Sequence, residues 1–301
     1  MDLWIAFTIS AAFFQTLRFM LHKVLSMGTL TSTGSTFARF AYAMPAAALA
    51  IGLYLRLTGQ PWPELGPAFW GYAWMGALGQ ILATICVVAL FRQRNFAVGI
   101  TFKKTEVIQT AIVGLLILGE RISTAGWGAI LIGLVGVLLL SDTPGAGNLL
   151  KRMMTRAVAL GLASGFFFAF SAVGYRASSL EIDSVDPFVR SGVTLSMVTL
   201  SQTIAMAVWL RIVEPGQITA VWGARRTALW LGLASMAGSL SWFTAFTLQT
   251  AAYVQALGQV ELVFSLMASV LFFKERITRR ELAGIGFLAF SILLLVLVLR
   301  P

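Results

Sequence analysis

Phe102-Lys103-Lys104-Thr105-Glu106, with Gly119-Glu120-Arg121-Ile122-Ser123 one helix-length later, lies over Leu257-Gly258-Gln259-Val260-Glu261 and Lys274-Glu275-Arg276-Ile277-Thr278. The offset is a constant 155 residues, so that Glu106 meets Glu261, Glu120 meets Glu275 and Arg121 meets Arg276. Ala12-Phe13-Phe14 likewise resembles Gly165-Phe166-Phe167, and Phe37-Ala38-Arg39 resembles Phe188-Val189-Arg190. The offset drifts by a few residues there, as loops of unequal length require. A chain that matches itself at half its length is built from two similar units, and the fold follows from what each unit is.

Composition says where the units sit. The chain has 301 residues, 58% of them apolar and 11% charged, with a mean hydropathy of +0.85. A soluble domain has about 45–50% apolar and about 25% charged residues, so dissolved enzymes and disordered scaffolds are excluded. The net charge of +10 does not imply a nucleic-acid partner in so apolar a chain. Its basic residues suit loops at an anionic membrane surface. Cys86 and His22 are the lone cysteine and histidine, which leaves no intrachain disulfide and no structural zinc site. No metal and no cofactor is expected.

A helix crossing about 30 Å of hydrocarbon needs roughly 20 mostly apolar residues. Ten such runs are read at 3–22, 34–55, 69–91, 96–118, 124–141, 157–175, 187–210, 227–247, 252–273 and 281–299. The first lacks a basic leader and runs on into further spans, so a cleaved signal peptide is not expected. The longest polar break, from Ser141 to Arg156, divides the chain into a first unit over 1–141, a connecting loop over 142–156 and a second unit over 157–301. Each unit holds five spans. Five is odd, so the second unit crosses the bilayer in the opposite sense to the first. Inverted repeats of this kind build transporters whose substrate site lies near the midplane. The fold class expected is therefore an all-α integral membrane protein, with ten transmembrane helices as two inverted five-helix repeats around a central cavity.

Ten spans in a five-plus-five repeat, with Gly119-Glu120-Arg121 and Lys274-Glu275-Arg276 closing spans four and nine, resemble the EamA branch of the drug/metabolite transporter superfamily over essentially the whole chain. The resemblance implies a basket-like bundle that moves small metabolites, amino acids or drugs by alternating access. It implies that spans one, three, four, six, eight and nine line the cavity, that two and seven move as gates, and that five and ten pack peripherally.

The candidate site residues are charges and amides where lipid would not tolerate them. Lys103 and Glu106 share a face at i,i+3, extended by Gln109 and Thr110. They either form a solvated substrate site or snorkel and neutralise one another. Lys104 lies on another face and is expected to snorkel. Span nine presents Gln255, Gly258, Gln259, Glu261, Ser265 and Ser269; Glu261 either takes substrate or a coupling proton, or pairs with a cation from another span. Span one carries Gln15, Arg18 and His22, and span six carries Ser164, Phe168, Ser171 and Tyr175 at matching places. Arg18 can hold a carboxylate bidentately but reads better as an interface anchor, and His22 as a loop-edge residue. Tyr42, Trp74, Trp242 and Tyr253 are candidate cavity walls. Arg39 and Arg190 are gating residues or structural ties in spans two and seven. Glu120-Arg121 and Glu275-Arg276 read as helix-end pairs fixing hairpins. The small-residue ladder Ala125, Ala129, Gly133 fits packing on span ten or on another subunit.

The expected function is secondary transport of a small, carboxylate-bearing or zwitterionic organic solute, an amino acid or a related metabolite, across the cell's inner (plasma) membrane. Coupling protons and membrane lipids are further expected partners, in a monomer or homodimer. A lipid flippase on the same fold is the alternative. A polytopic membrane enzyme is less favoured, because the four aspartates (Asp2, Asp142, Asp183, Asp186) form no acidic cluster. No ATP-binding loop occurs, Gly145 to Lys151 being a poor imitation. Loop cations such as Lys151, Arg152, Arg156, Arg225 and Arg226 fall on one side, against Arg56, Arg121, Arg176 and Arg300 on the other. By the positive-inside rule that sets both termini outside the cytoplasm, whereas the resemblance implies both inside.

Overall fold

A computed structural model describes residues 2–28, 30–91, 102–140, 156–264, 267 and 278–298. Among them there is no strand. The first half contributes α1 (Leu3–Ser26), α2 (Ser32–Thr58), α3 (Pro67–Phe91), α4 (Glu106–Leu118) and α5 (Thr124–Leu140). The second contributes α6 (Arg156–Leu180), α7 (Pro187–Val213), the short α8 (Gln217–Gly223), α9 (Arg225–Leu248), α10 (Ala251–Gly258) and α11 (Arg279–Val298). Six of these helices, α1, α2, α3, α6, α7 and α9, are long and apolar enough to cross a membrane. This is an all-α integral membrane protein.

Local chemistry sets the helix ends. Thr31 caps α2 by accepting from the Gly34 N–H at 2.9 Å, and Asp186 caps α7 by accepting from the Phe188 N–H at 2.8 Å, with Pro187 at the first helical position. Gly119 closes α4 in the left-handed conformation (φ 67°). The Gly119 N–H reaches the Leu115 carbonyl, the bond of a left-handed glycine cap, and the Glu120 N–H reaches the Gly114 carbonyl.

The helices pack by one pairing scheme. α3 lies on α6 and α1 on α9; α2 lies on α7, α4 on α10 and α5 on α11. Swapping the first-half helices for those of the second (α1 for α6, α2 for α7, α3 for α9, α4 for α10, α5 for α11) exchanges the first two pairings and returns each of the other three to itself. The α3–α6 contact is backbone to backbone: a Cβ on Gly174 would stand 2.7 Å from the Gly76 nitrogen. Lipid-facing helices gain nothing hydrophobic by associating, so such small-residue approaches supply the packing. The Ala125, Ala129, Gly133 ladder serves the same end, because Ser291 of α11 donates to the Ala129 carbonyl at 2.6 Å beside Gly133.

Span four is not the continuous helix expected over 96–118. The chain tightens at Lys104-Thr105, where the Thr105 N–H reaches back three residues to the Phe102 carbonyl and the Ile108 N–H to the Thr105 carbonyl. Span nine tightens at Gln259-Val260 with the same bonds 155 residues later, Val260 to Leu257 and Val263 to Val260. Both are short 3₁₀ turns inside an α-helix. A second difference is α8, a helix where only a connecting loop was expected. Lys274, Glu275, Arg276, Ser265, Ser269 and most of the 142–156 connector lie outside the described residues.

Candidate functional site

The overwound turn explains the first charged pair. In 3₁₀ geometry residues i and i+3 eclipse, which sets the Lys103 Nζ 3.0 Å from the Glu106 Oε1 with both side chains buried. Phe168 and Phe19 face the same ammonium, at 4.9 and 5.9 Å from their ring centroids. In span nine the position matching Lys103 is Gly258, and there the Trp242 ring of α9 packs directly on the glycine. Glu261 therefore finds no lysine on its own helix. Lys104 crosses from the other half to pair with it. Lys104 does not snorkel, as was expected of it; it is 1% exposed.

Gln15 of α1 knits the centre together. Its amide NH₂ donates to Glu261, and its carbonyl accepts from the Arg18 guanidinium at 2.8 Å and the Trp242 indole N–H at 3.1 Å. Arg18 is 2% exposed, so it is no interface anchor. α1 runs on to Ser26, past the expected end at 22, and this draws Arg18 inward. His22 is not at a loop edge either; it is fully buried with its Nδ1 2.8 Å from the Ser35 hydroxyl.

These groups surround a cavity of about 30 Å³, room for about two waters. Its walls are Gln15 and Arg18 of α1, Gln80 of α3, Lys103 and Glu106 of span four, Ser171 and Tyr175 of α6, Trp242 of α9 and Gln255 of α10. Spans one, three, four, six, eight and nine thus meet there, each carrying at least one polar group. Gln259 lies just beyond Gln255, its amide folded back onto the Gln255 carbonyl at 3.1 Å. Tyr175 stacks on Phe243, its hydroxyl donating to Gln80 at 2.9 Å and accepting from Gln202 at 3.1 Å. A larger cavity of about 240 Å³ lies between α2, α7 and α9, walled by Ile51, Phe188, Gly192, Leu195 and Leu240. Apart from Tyr54 its walls are apolar, so the charged hollow is the one with chemistry to offer a polar solute.

Other expectations fall elsewhere. Trp74 is 40% exposed and turned away from the centre. Tyr42 lies outside the cavity wall, packed against Gly232 of α9, and Tyr253 sits at the α4–α5 turn with its hydroxyl near Ser123. Arg39 is a buried tie to hydroxyls, reaching Thr84 at 2.9 Å and Ser239 at 3.4 Å. Arg190 is half-buried with its Nε unpartnered. Glu120 does not pair with Arg121, which is exposed. It pairs with Arg176 of α6, whose guanidinium also donates to the Phe246 and Gln249 carbonyls at 2.6 and 2.8 Å. Arg176 therefore clamps three segments together and is no loop cation. Sequence reasoning also missed Gln80, although Gln80 and Thr84 stand at i,i+4 on an otherwise apolar span, a readable polar stripe.

At the two ends of the α2–α7 pair the contacts differ. On one side the Thr31 hydroxyl donates to Glu214 at 2.6 Å and its N–H to Gln217 at 3.1 Å. On the other the Tyr54 hydroxyl and the Gln60 amide donate to Asp186 at 2.8 and 3.2 Å. Burial pushes the Asp186 carboxyl up, but bonds from Tyr54, the Phe188 N–H and Gln60 outweigh it and hold the group below the usual carboxylate range.

Residues 155–297 match the EamA-like transporter family. The match lies in the second half of the chain and supports membership of the drug/metabolite transporter superfamily. Membership of the drug/metabolite transporter superfamily points to a membrane transporter and away from an enzyme. A solved structure, described only as a crystal structure of a protein, resembles this chain with a TM-score of 0.71 at 15% identity, over 98% of this chain and 96% of that one. That likeness speaks to fold alone. No curated protein matches the chain.

Proposed function

We propose that this EamA-like protein is a secondary transporter that moves a small carboxylate-bearing or zwitterionic organic solute across the cell's inner membrane by alternating access. Units 1–141 and 157–301 act as inverted five-helix repeats joined by 142–156. The observation that carries the reading is the buried charged hollow between them, walled by helices of both halves. Charges inside a bilayer are costly unless they serve a pathway or a site. The half-exchanging helix pairings and the interruption repeated at 104–105 and 259–260 support the inverted repeat, because broken helices at matching places frame midplane sites in such carriers.

Arg18, Lys103, Glu106, Gln255 and Trp242 contact the solute; Gln15, Gln259 and Glu261 hold that wall in place. α2 and α7 are the gates, with Arg39 and Arg190 on them. Energy comes from a proton or solute gradient. The test is uptake into proteoliposomes of a panel of amino acids, organic anions and organic cations, beside transbilayer movement of a labelled phospholipid. Saturable uptake of carboxylate-bearing solutes is expected. Movement of the phospholipid alone would identify a flippase instead.

A further inference from the structure

Resting on that reading, we infer that the solute travels as an organic anion with an apolar, aromatic-compatible body, its carboxylate docking on the Arg18 guanidinium and no ammonium group taking part. The charge census around the hollow carries the argument. Among the described residues the buried carboxylate on its wall, Glu106, already faces Lys103, and the one behind the wall, Glu261, faces Lys104. Two buried guanidinium groups remain, Arg18 and Arg39, and neither makes an ion pair there. The cluster is therefore two positive charges in excess.

The two arginines are not equivalent. Arg39 is spent on the Thr84 and Ser239 hydroxyls and stands outside the cavity wall. Arg18 lines the cavity, donates to the neutral Gln15 carbonyl, lies over the Phe19 ring at 5.4 Å, and keeps its Nε buried with no hydrogen-bond partner. A guanidinium fork with free donors on a wall is the geometry that takes a carboxylate through two parallel N–H···O bonds. An incoming ammonium meets the opposite situation. It would add a third uncompensated cation and would have to share Glu106 with Lys103 or Glu261 with Lys104. Behind the arginine, Phe168, Trp242, Phe243 and Phe246 line the same hollow and suit an apolar ring. At about 30 Å³ the cavity must widen to admit one, as a carrier does between its states.

One skeleton in three charge states tests this: 3-phenylpropionate (anion), phenylalanine (zwitterion) and phenethylamine (cation), with benzoate and octanoate extending the anionic series. Binding to the purified full chain in detergent is read by thermal shift. At least one anion is expected to raise the melting temperature, the zwitterion less and the cation not at all. Arg18→Gln should weaken the anion about ten- to a hundredfold, the loss that follows from removing charge-assisted hydrogen bonds. Arg18→Lys should fall between, keeping the charge and losing the fork. Without ligand, Arg18→Gln should melt no lower than the parent, because it removes an uncompensated buried charge. Silence across the anions, preference for phenethylamine, anion binding indifferent to Arg18→Gln, or an Arg18→Gln protein melting well below the parent each overturns the inference. If phenethylamine is transported independently of Arg18, the carrier reading stands and the anion inference falls. If anions bind through Arg18 and no solute crosses the bilayer, the reverse holds.

Discussion

Glu261→Gln tests whether the Lys104–Glu261 pair is a charged joint between the two halves. Their side chains are 1% and 8% exposed, so water screens little of the interaction. Removing one partner of a buried ion pair leaves the other charge uncompensated and costs about 3–5 kcal/mol. Glu261→Gln should cost that much, because Lys104 keeps its charge and loses its carboxylate, while the Gln15 amide still finds an oxygen to donate to. Lys104→Met should cost a similar amount by exposing Glu261 to the same fate. The double variant removes both charges at nearly constant volume and should cost clearly less than the two single losses added together, since no uncompensated charge is left behind. Reversible unfolding in mixed micelles, followed by tryptophan fluorescence, yields the three differences. Non-additivity above about 2 kcal/mol supports the joint. A Glu261→Gln cost below about 1 kcal/mol would refute it, showing a Glu261 that holds no negative charge at rest.

Gly174→Leu drives a side chain into the Gly76 backbone, where even a Cβ stands at 2.7 Å; it should destabilise by about 1–3 kcal/mol or more in the same assay. Arg176→Lys keeps the charge beside Glu120 but loses the fork that also holds the Phe246 and Gln249 carbonyls, so limited proteolysis should cut the α9–α10 connection faster. The Asp186 carboxyl is held below its ordinary value, so its contribution is present above the unfolded carboxylate range and fades as pH falls through the lowered folded value. Melting temperature should drop on acidification more steeply in the parent than in Asp186→Asn, and equal slopes would deny the carboxyl that role.

Much of this was legible in the sequence because lipid punishes polarity so uniformly. Runs at 69–91, 187–210 and 227–247 foretell α3, α7 and α9 to within a few residues, and buried Lys103, Glu106 and Glu261 announce themselves by their cost. What escaped was geometry that leaves hydropathy untouched. A 3₁₀ turn at Lys104-Thr105 shifts two hydrogen bonds without altering a single apolar position, yet it aligns Lys103 with Glu106. Arg18 and His22 looked interfacial because apolarity fades after residue 22, whereas α1 continues to Ser26. Glu120 sits beside Arg121 in the chain, but Gly119 reverses the backbone and hands the carboxylate to Arg176, a pairing no local pattern encodes.

The matched turns differ in one position: the place held by Lys103 in one half is held by Gly258, filled by an indole, in the other. A perfectly twofold carrier would show the same face to a solute arriving from either compartment. Under the proposed reading, the two halves would instead offer it unlike groups, an ammonium from one and an indole from the other, on the wall of the same hollow. If the protein is a passive carrier, detailed balance keeps the low-concentration fluxes in the two directions equal, yet such an inequality would let the half-saturating concentrations and the limiting rates diverge together, so the two directions would part company only as solute becomes crowded.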